Sequence, residues 1–465
     1  MFKMAVKFKR LYSNKKMKGV KEGGKENTMK KLILLAVLCF VALAWTQSGV
    51  TGSLKWSVQG GTLTISGNGP MPDYFKAEEP GEEDALPPWN CKSITAIVIK
   101  DGVTSIGSTA FYGCNKLKSV TIPNSVNNIA ENIFYGKKEL ISINVGSKNN
   151  DYTSVDGVLF DKEKTTLILY PVGKTNTNYT IPNSVTYIAK KAFRASMLTS
   201  VTIPNSVTNI GEYAFLSCGK LTSVTIPNSV TNIETNAFID TKNLMSINVS
   251  PQNDYYASDD GVLFDKAKTT LILYPAGKTN TNYTIPSTVT NIGYFSNYSK
   301  LTSVTIPNSV NTIGLQSFNC KNLMSINVSP QNDYYASDDG VLFDKAKITL
   351  IQYPVGKTNT NYMIPNTVIS IGEKAFSGCG KLTSVTIPNS VTSIKYGAFH
   401  NCSGLTKIIN LAIEPPGQYP YDTWPPDDVF YGVNKSNVTL EVPINSIKDY
   451  KDSYGWSEFK IKAIK

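Results

Sequence analysis

The chain is constrained most by a sentence it repeats. The thirteen residues "LTSVTIPNSVTNI" occupy 198–210 and recur at 221–233, and close variants lie at 301–313 and 382–394. Measured from the first leucine, the steps Leu117 to Leu140, Leu198 to Leu221, Leu221 to Leu244 and Leu382 to Leu405 are each 23 residues, and Leu301 to Leu323 is 22. A fixed period of this size is the signature of a solenoid, in which each coil touches only its neighbours. One coil of this length cannot offset the entropy of ordering itself. The sentence repeats because every coil meets the same environment.

Within 198–220 the apolar positions are Leu198, Val201, Ile203, Val207, Ile210, Ala214, Phe215 and Cys218. Val201 and Ile203 are spaced as on a strand. Pro204 ends it, because proline donates no N–H and fixes φ near −65°. Asn205 and Ser206 supply turn chemistry. The Ala-Phe-x-x-Cys spacing predicts a short helical turn with one face inward. Each repeat is then strand, turn, short arc and return.

Three repeats carry an insertion: Leu140 to Leu198 spans 58 residues, Leu244 to Leu301 spans 57 and Leu323 to Leu382 spans 59. The inserted text, such as "DYYASDDGVLFDKAKTTLILYPAGKTNTNYTIP", places "VLFD" and "TLILYP" around a charged turn and reads as a β-hairpin. The ends depart from the pattern, as solenoid ends must. Residues 54–66 form an alternating Gly-Gly hairpin, an acidic proline-rich loop follows at 70–90, and a second proline-rich insertion lies at 414–428. "NVTLEVP" reads as a last strand, and the following segment as a helix plus strand. The expected fold is a β-rich leucine-rich-repeat solenoid of 23-residue coils in a curved right-handed array, with three inserted hairpins and two caps. Its divisions are an upstream extension (1–28), a signal peptide (29–44), an N-terminal β cap (45–90), the solenoid (91–437) and a C-terminal cap (438–465).

The formal charge of +11 is misleading. Residues 29–44, "MKKLILLAVLCFVALA", set two lysines before an apolar run that ends in Ala42-Leu43-Ala44, the pattern of a secretory signal. Residues 1–44 hold 11 of the 46 basic and 2 of the 35 acidic side chains, which leaves 35 against 33. A basic excess confined to a removable leader gives no argument for nucleic acid. The run is too short to span a bilayer, and no other stretch approaches that length. Cys39 stands inside the run, which disfavours lipid anchoring. The chain is expected to be secreted or held at a cell surface, without a transmembrane segment in its mature form.

The repeat "LTSVTIPNSVTNIGEYAFLSCGK", the insertion text "GVLFDKAKTTLILYP" and the region "GGTLTISGNGPMPDY…PPWN" resemble the BspA-like leucine-rich repeats of bacterial surface proteins. The resemblance covers nearly all of 54–465. It implies a curved β-solenoid, an exposed or secreted location and adhesion to host proteins or other cells. It implies no catalytic residues and no cofactor.

The remaining chemistry is sparse. His400, in "GAFHNC", is the one histidine of the chain. It occupies a place held elsewhere by Leu216, Tyr112 or Ser377 and reads as surface rather than as a base. With no second histidine, Ser-His-Asp, Cys-His and histidine-rich zinc chemistry have little to draw on. Cysteines 91, 114, 218, 320, 379 and 402 fall in one column ahead of each coil's first core position and read as small buried hydrophobes. Only Cys91/Cys114 and Cys379/Cys402 lie on adjacent coils, close enough for a disulfide. "SDDG" at 258–261 and 337–340 reads as a turn, because a calcium loop needs oxygen ligands at several alternate positions and a closing glutamate.

Binding is the function left. Residues between the core positions of each strand face outward: Ser119 and Thr121, Ser200 and Thr202, Ser223 and Thr225, Ser303 and Thr305, Ser384 and Thr386. Asn248 beside Ser246 and Asn327 beside Ser325 vary the theme. Together they suggest a long hydroxyl-rich sheet face with few large anchors. Aromatic anchors are expected from the insertions: Tyr255 and Tyr256, Tyr334 and Tyr335, with Tyr274, Tyr283 and Tyr353 either joining them or packing the insertion onto the coils. The expected partner is an extracellular protein or cell-surface ligand. The alternative is a carbohydrate-binding surface module, its tyrosines stacking on a glycan.

Overall fold

Each coil of the computed structural model contributes two strands. The first is three or four residues, as in Ser223–Ile226, where Val224 and Ile226 are buried and Thr225 is exposed. The second is in most coils two residues, as in Asn232–Ile233. Both pair in parallel with the next coil: Ser200 opposes Ser223 and Ser223 opposes Ser246, while Asn209 opposes Asn232. The stack of about 15 turns is therefore lined on two sides by strands paired in parallel from coil to coil. The structure describes residues 47–74, 86–234, 236–295, 299–418 and 429–464. The leader, part of the 70–90 loop and most of the 414–428 insertion lie outside them.

The expected helical turn at Ala-Phe-x-x-Cys is absent. The corner is a chain of tight turns, with Ala214 N–H donating to Gly211 O, Leu216 to Tyr213 O and Cys218 to Phe215 O. Tyr213 (φ 57°) and Ser217 (φ 58°) lie in the left-handed region, which a right-handed helix cannot contain. Those residues free the intervening amides to bond the next coil: Phe193 N–H meets Ala214 O at 2.8 Å, and Phe215 N–H meets Ala237 O at 2.7 Å. The corner is thus a third side of coil-to-coil pairing. Inside it, Phe193, Phe215 and Phe238 stack at 5.0 and 5.1 Å between centroids, with planes within 6° of parallel.

Each insertion forms the expected hairpin and adds a strand before it, which makes a three-stranded meander. Tyr152–Val155 pairs antiparallel with Val158–Asp161, which pairs antiparallel with Thr166–Leu169. The first turn is Asp156-Gly157, both at positive φ (49° and 73°), the tight geometry that Asp-Gly favours. The third strand pairs in parallel with Tyr187–Ile188 and so already belongs to the second solenoid sheet. The meanders at 256–274 and 335–352 follow the same plan.

Each meander places a wall across the core. In Val158–Asp161 the side chain of Leu159 packs into the cluster that precedes it, while Val158 and Phe160 pack into the cluster that follows. Leu263 and Leu342 are split from their neighbours in the same way. Burial on both faces explains an unbroken Val-Leu-Phe run where a surface strand would alternate. Among the described residues the hydrophobic core consequently falls into four clusters.

The described residues open with antiparallel strands Gln47–Thr51, Leu54–Gln59 and Thr62–Gly67; the last pairs in parallel with Ala96–Ile99. Trp89 packs edge-on against Trp56 and Tyr74. Cys91 and Cys114 are joined in a disulfide between adjacent coils, against the reading of the cysteine column as buried thiols. Cys218, Cys320, Cys379 and Cys402 are buried and unbridged. At the other end, helix Ile447–Asp452 and strand Lys460–Ala463 close the stack. Tyr450 and Trp456 are fully buried there and donate to Ala412 O at 3.0 Å and Pro416 O at 3.2 Å. Among the described residues, no helix is long and apolar enough to cross a membrane.

Candidate binding surface

The outward residues of the first sheet line up as columns. Ser119 opposes Ser142 and Thr121 opposes Asn144. Ser200, Ser223 and Ser246 follow one another, and Thr225 opposes Asn248. Thr202 stands at the end of its strand and opposes Thr180. Ser303 opposes Ser325 and Thr305 opposes Asn327. Ser384 and Thr386 pair with Lys407 and Ile409, so the last panel leaves the hydroxyl pattern. The serines are half-buried, whereas Thr121, Thr202, Thr225, Asn248 and Asn327 are exposed.

One long face is not formed. The columns fall into four sheets, because each meander's Asp-Gly turn lies over the last strand before it. Ile247 N–H donates to Gly261 O and Ile326 N–H to Gly340 O, both at 2.9 Å. A Cβ on Gly261 would stand 2.6 Å from Ser246 Cβ, so only glycine permits the approach. Ser246 and Ser325 are thus covered in part by their own insertions. The hydroxyls also bond to one another's neighbours: Ser200 donates to Asn178 Oδ1 at 2.7 Å, Ser325 to Asn327 Oδ1 at 2.7 Å, and Asn327 Nδ2 to Ser303 Oγ at 3.0 Å.

The insertion tyrosines divide into three roles. Tyr255 and Tyr334 are 54% and 55% exposed and present their rings to solvent. Tyr256 accepts the N–H of Ile233 at 2.9 Å, and Tyr335 donates to Asn311 O at 3.3 Å. Their hydroxyls take the place of the missing next strand of the second sheet. Tyr274 and Tyr353 are buried and head the aromatic stacks, at 5.3 Å from Phe295 and 5.2 Å from Phe376. Tyr283 is half-buried beside Tyr274 at 4.8 Å. Burial, aided by the Asp156 charge, pushes the equivalent Tyr170 up to about 12.

Two insertion features were not read from the sequence. Asn149, Asn253 and Asn332 are fully buried. Asn253 Nδ2 donates to Pro227 O and Val230 O at 2.8 and 2.9 Å, while its Oδ1 accepts from the amides of Tyr255 and Tyr256. An asparagine recurring in phase ahead of each "DY" was the available signal. The second feature is a lysine that follows each meander. Lys174, Lys278 and Lys357 reach the carboxylates of Asp156, Asp260 and Asp339 at 3.1, 2.9 and 3.0 Å. Lys268 and Lys347 hold Asp259 and Asp338, both at 2.9 Å. The "SDDG" acids are therefore held by lysines at a turn. Among the described residues, no group of three or more His, Cys, Asp or Glu could hold a metal ion.

His400 is half-buried, with its ring 5.4 Å from Tyr396 and 5.3 Å from Tyr431. The unbridged thiols are buried, and Cys218 and Cys402 donate to Phe193 O and Phe376 O at 2.9 and 3.1 Å. Burial pushes Cys218 up to about 11, away from any nucleophilic role near neutral pH.

Two parallel sheets, a turn-built corner and a 23-residue period define a leucine-rich-repeat solenoid. The family described as BspA type leucine rich repeat region matches at 89–169, 172–260, 276–363 and 355–414, and the chain belongs to it. Among solved structures it is similar to a leucine-rich repeat protein of Eubacterium ventriosum, at 25% identity over 83% of this chain and 95% of that one, with a TM-score of 0.41. A leucine rich cell surface protein of Faecalibacterium prausnitzii matches at 27% identity over 78% and 94%, with a TM-score of 0.45. The pneumococcal vaccine antigen PcpA matches at 19% identity over 90% and 99%, with a TM-score of 0.42. No curated protein matches the chain.

Proposed function

We propose that the protein is an exported, surface-exposed interaction protein without catalytic activity, which holds an extracellular protein or cell-surface ligand by contact spread over its panels. The observation that carries this reading is the alignment of Ser, Thr and Asn side chains in columns across parallel strands. Such a surface offers area and hydrogen bonds at each panel but no convergent chemistry, so strength would come from repetition. The exposed rings of Tyr255 and Tyr334 stand beside the second and third panels as low-entropy anchors. A disulfide between coils is consistent with an oxidising compartment.

The test is binding of the whole chain to immobilised extracellular-matrix proteins and to intact cells. It is compared with variants that lack residues 323–381, and then also 244–300, each an in-phase unit. Contact spread over panels predicts stepwise weakening of one binding event. Full binding after both deletions would sink the reading.

A further inference from the structure

The insertions leave the corner of the solenoid one row short. An ordinary coil passes through the corner by the tight turns described above, as at 211–220. After the meander's last strand the chain instead passes directly from Tyr170 to Lys174: Gly173 N–H bonds back to Leu140 O at 2.7 Å, and Lys174 N–H bonds to Pro171 O. At the first insertion the missing row opens a cleft of about 540 Å³ between the corner turns of 109–137 and those of 191–216.

Its walls are tyrosines and cations. Tyr112 and Tyr135 are 57% and 54% exposed, and Tyr213 stands half-buried on the far side. Lys137 is only 4% exposed, in the column that Cys114 fills one coil earlier, and donates to Tyr135 O at 3.1 Å. Burial lowers its pKa. Lys191 reaches Asn132 Oδ1 at 2.9 Å. The Arg194 guanidinium lies 3.6 Å over the Tyr135 ring and donates to its hydroxyl. Among the described residues, these three cations rest on neutral groups and no Asp or Glu lines the cleft. The nearby Glu212 holds Lys190 at 2.6 Å, and the field of Glu131 also falls on Lys190. Elsewhere the insertion lysines have carboxylates of their own, as Lys174 has Asp156. The notch at the third insertion, about 280 Å³, presents Leu315, Gln316, Gln352 and Glu373 instead.

We propose that this cleft is a binding site for a carboxylate-bearing sugar, the uronic- or sialic-acid unit of an acidic glycan. Arg194 and Lys191 supply the paired donors that a carboxylate accepts, and the buried charge of Lys137 is matched when an anion enters. Tyr112 and Tyr213 offer ring faces to the apolar face of the sugar. The volume suits a small ligand.

The test titrates the whole chain with methyl glucuronide against methyl glucoside, and with sialyllactose against lactose, by calorimetry at two salt concentrations. The acidic member of at least one pair should bind at least tenfold tighter than its neutral counterpart, and the gap should narrow in salt. The Lys191→Ala/Arg194→Ala variant should lose that tenfold without a shift in its melting midpoint, and Lys137→Met should weaken acid binding with neutral sugars unaffected. Equal binding within both pairs, no binding of either acid at millimolar concentration, or tighter binding of polyglutamate at the same residues would overturn the proposal; the last would assign the cleft to acidic polypeptides. The site does not rest on the panel-contact reading, and the two deletions that test that reading lie outside it.

Discussion

At the scale of single residues, the side chains that most shape this surface are ones that never reach it. Asn253 alone donates two hydrogen bonds to buried carbonyls and accepts two more at its Oδ1 from the amides of Tyr255 and Tyr256. Replacing it with alanine leaves those groups unmatched, so Asn253→Ala is expected to cost about 3 kcal/mol, measured as a fall in the urea midpoint. The buried tyrosines act through pH. Burial pushes Tyr170 up to about 12 and raises Tyr274 and Tyr353 as well. The unfolded chain releases these protons near pH 10, while the folded chain retains them. Stability from this source is therefore complete below about pH 10 and lost as pH rises toward 12 and beyond. A series of thermal melts should be flat in this respect up to pH 10 and decline above it; a rise across that window would contradict the assignment.

At the scale of elements, legibility followed length and alternation. Strands such as Ser223–Ile226 show Val and Ile two apart and a closing proline, and they stand where the sequence puts them. The two-residue strand Asn232–Ile233 was missed because two residues carry no period. Tyr152–Val155 was missed because its half-buried faces show no alternation. The corner was misread as helical because Ala-Phe-x-x-Cys has helical spacing, whereas positive φ at Tyr213 and Ser217 leaves no trace in residue type. Of the candidate surface, the columns were legible because register follows the period. Their interruption was not, because it depends on where an insertion's turn comes to rest. The corner cleft was the least legible feature, since it arises from a row the chain omits. The wall strands make a sharper prediction. Leu263 fills the second core cluster from a strand whose neighbours fill the next. Leu263→Ala should cost about 3 kcal/mol and raise amide exchange mainly at 181–249, with 285–328 less affected. Equal loosening on both sides would show that the wall does not separate them.

At the scale of the whole molecule, stability is set by neighbours, and the ends are where neighbours run out. The first panel is closed by the Cys91–Cys114 bridge and the last by Tyr450 and Trp456. Replacing both cysteines with serine should destabilise the N-terminal panel by about 3 kcal/mol, seen as early amide exchange at 54–145 while the later panels hold. Uniform loss along the chain would mean that the array unfolds as one body.

The walls that divide the core also bear on mechanics. A protein tethered at a surface and gripped through its panels would carry tension along the stack. A continuous core would be expected to fail all at once, whereas four cores separated by meanders offer successive points of yield. Each panel that opened would lengthen the tether and relieve the load on those still closed. A partner held by several panels could then remain attached under shear that exceeds the strength of any one of them.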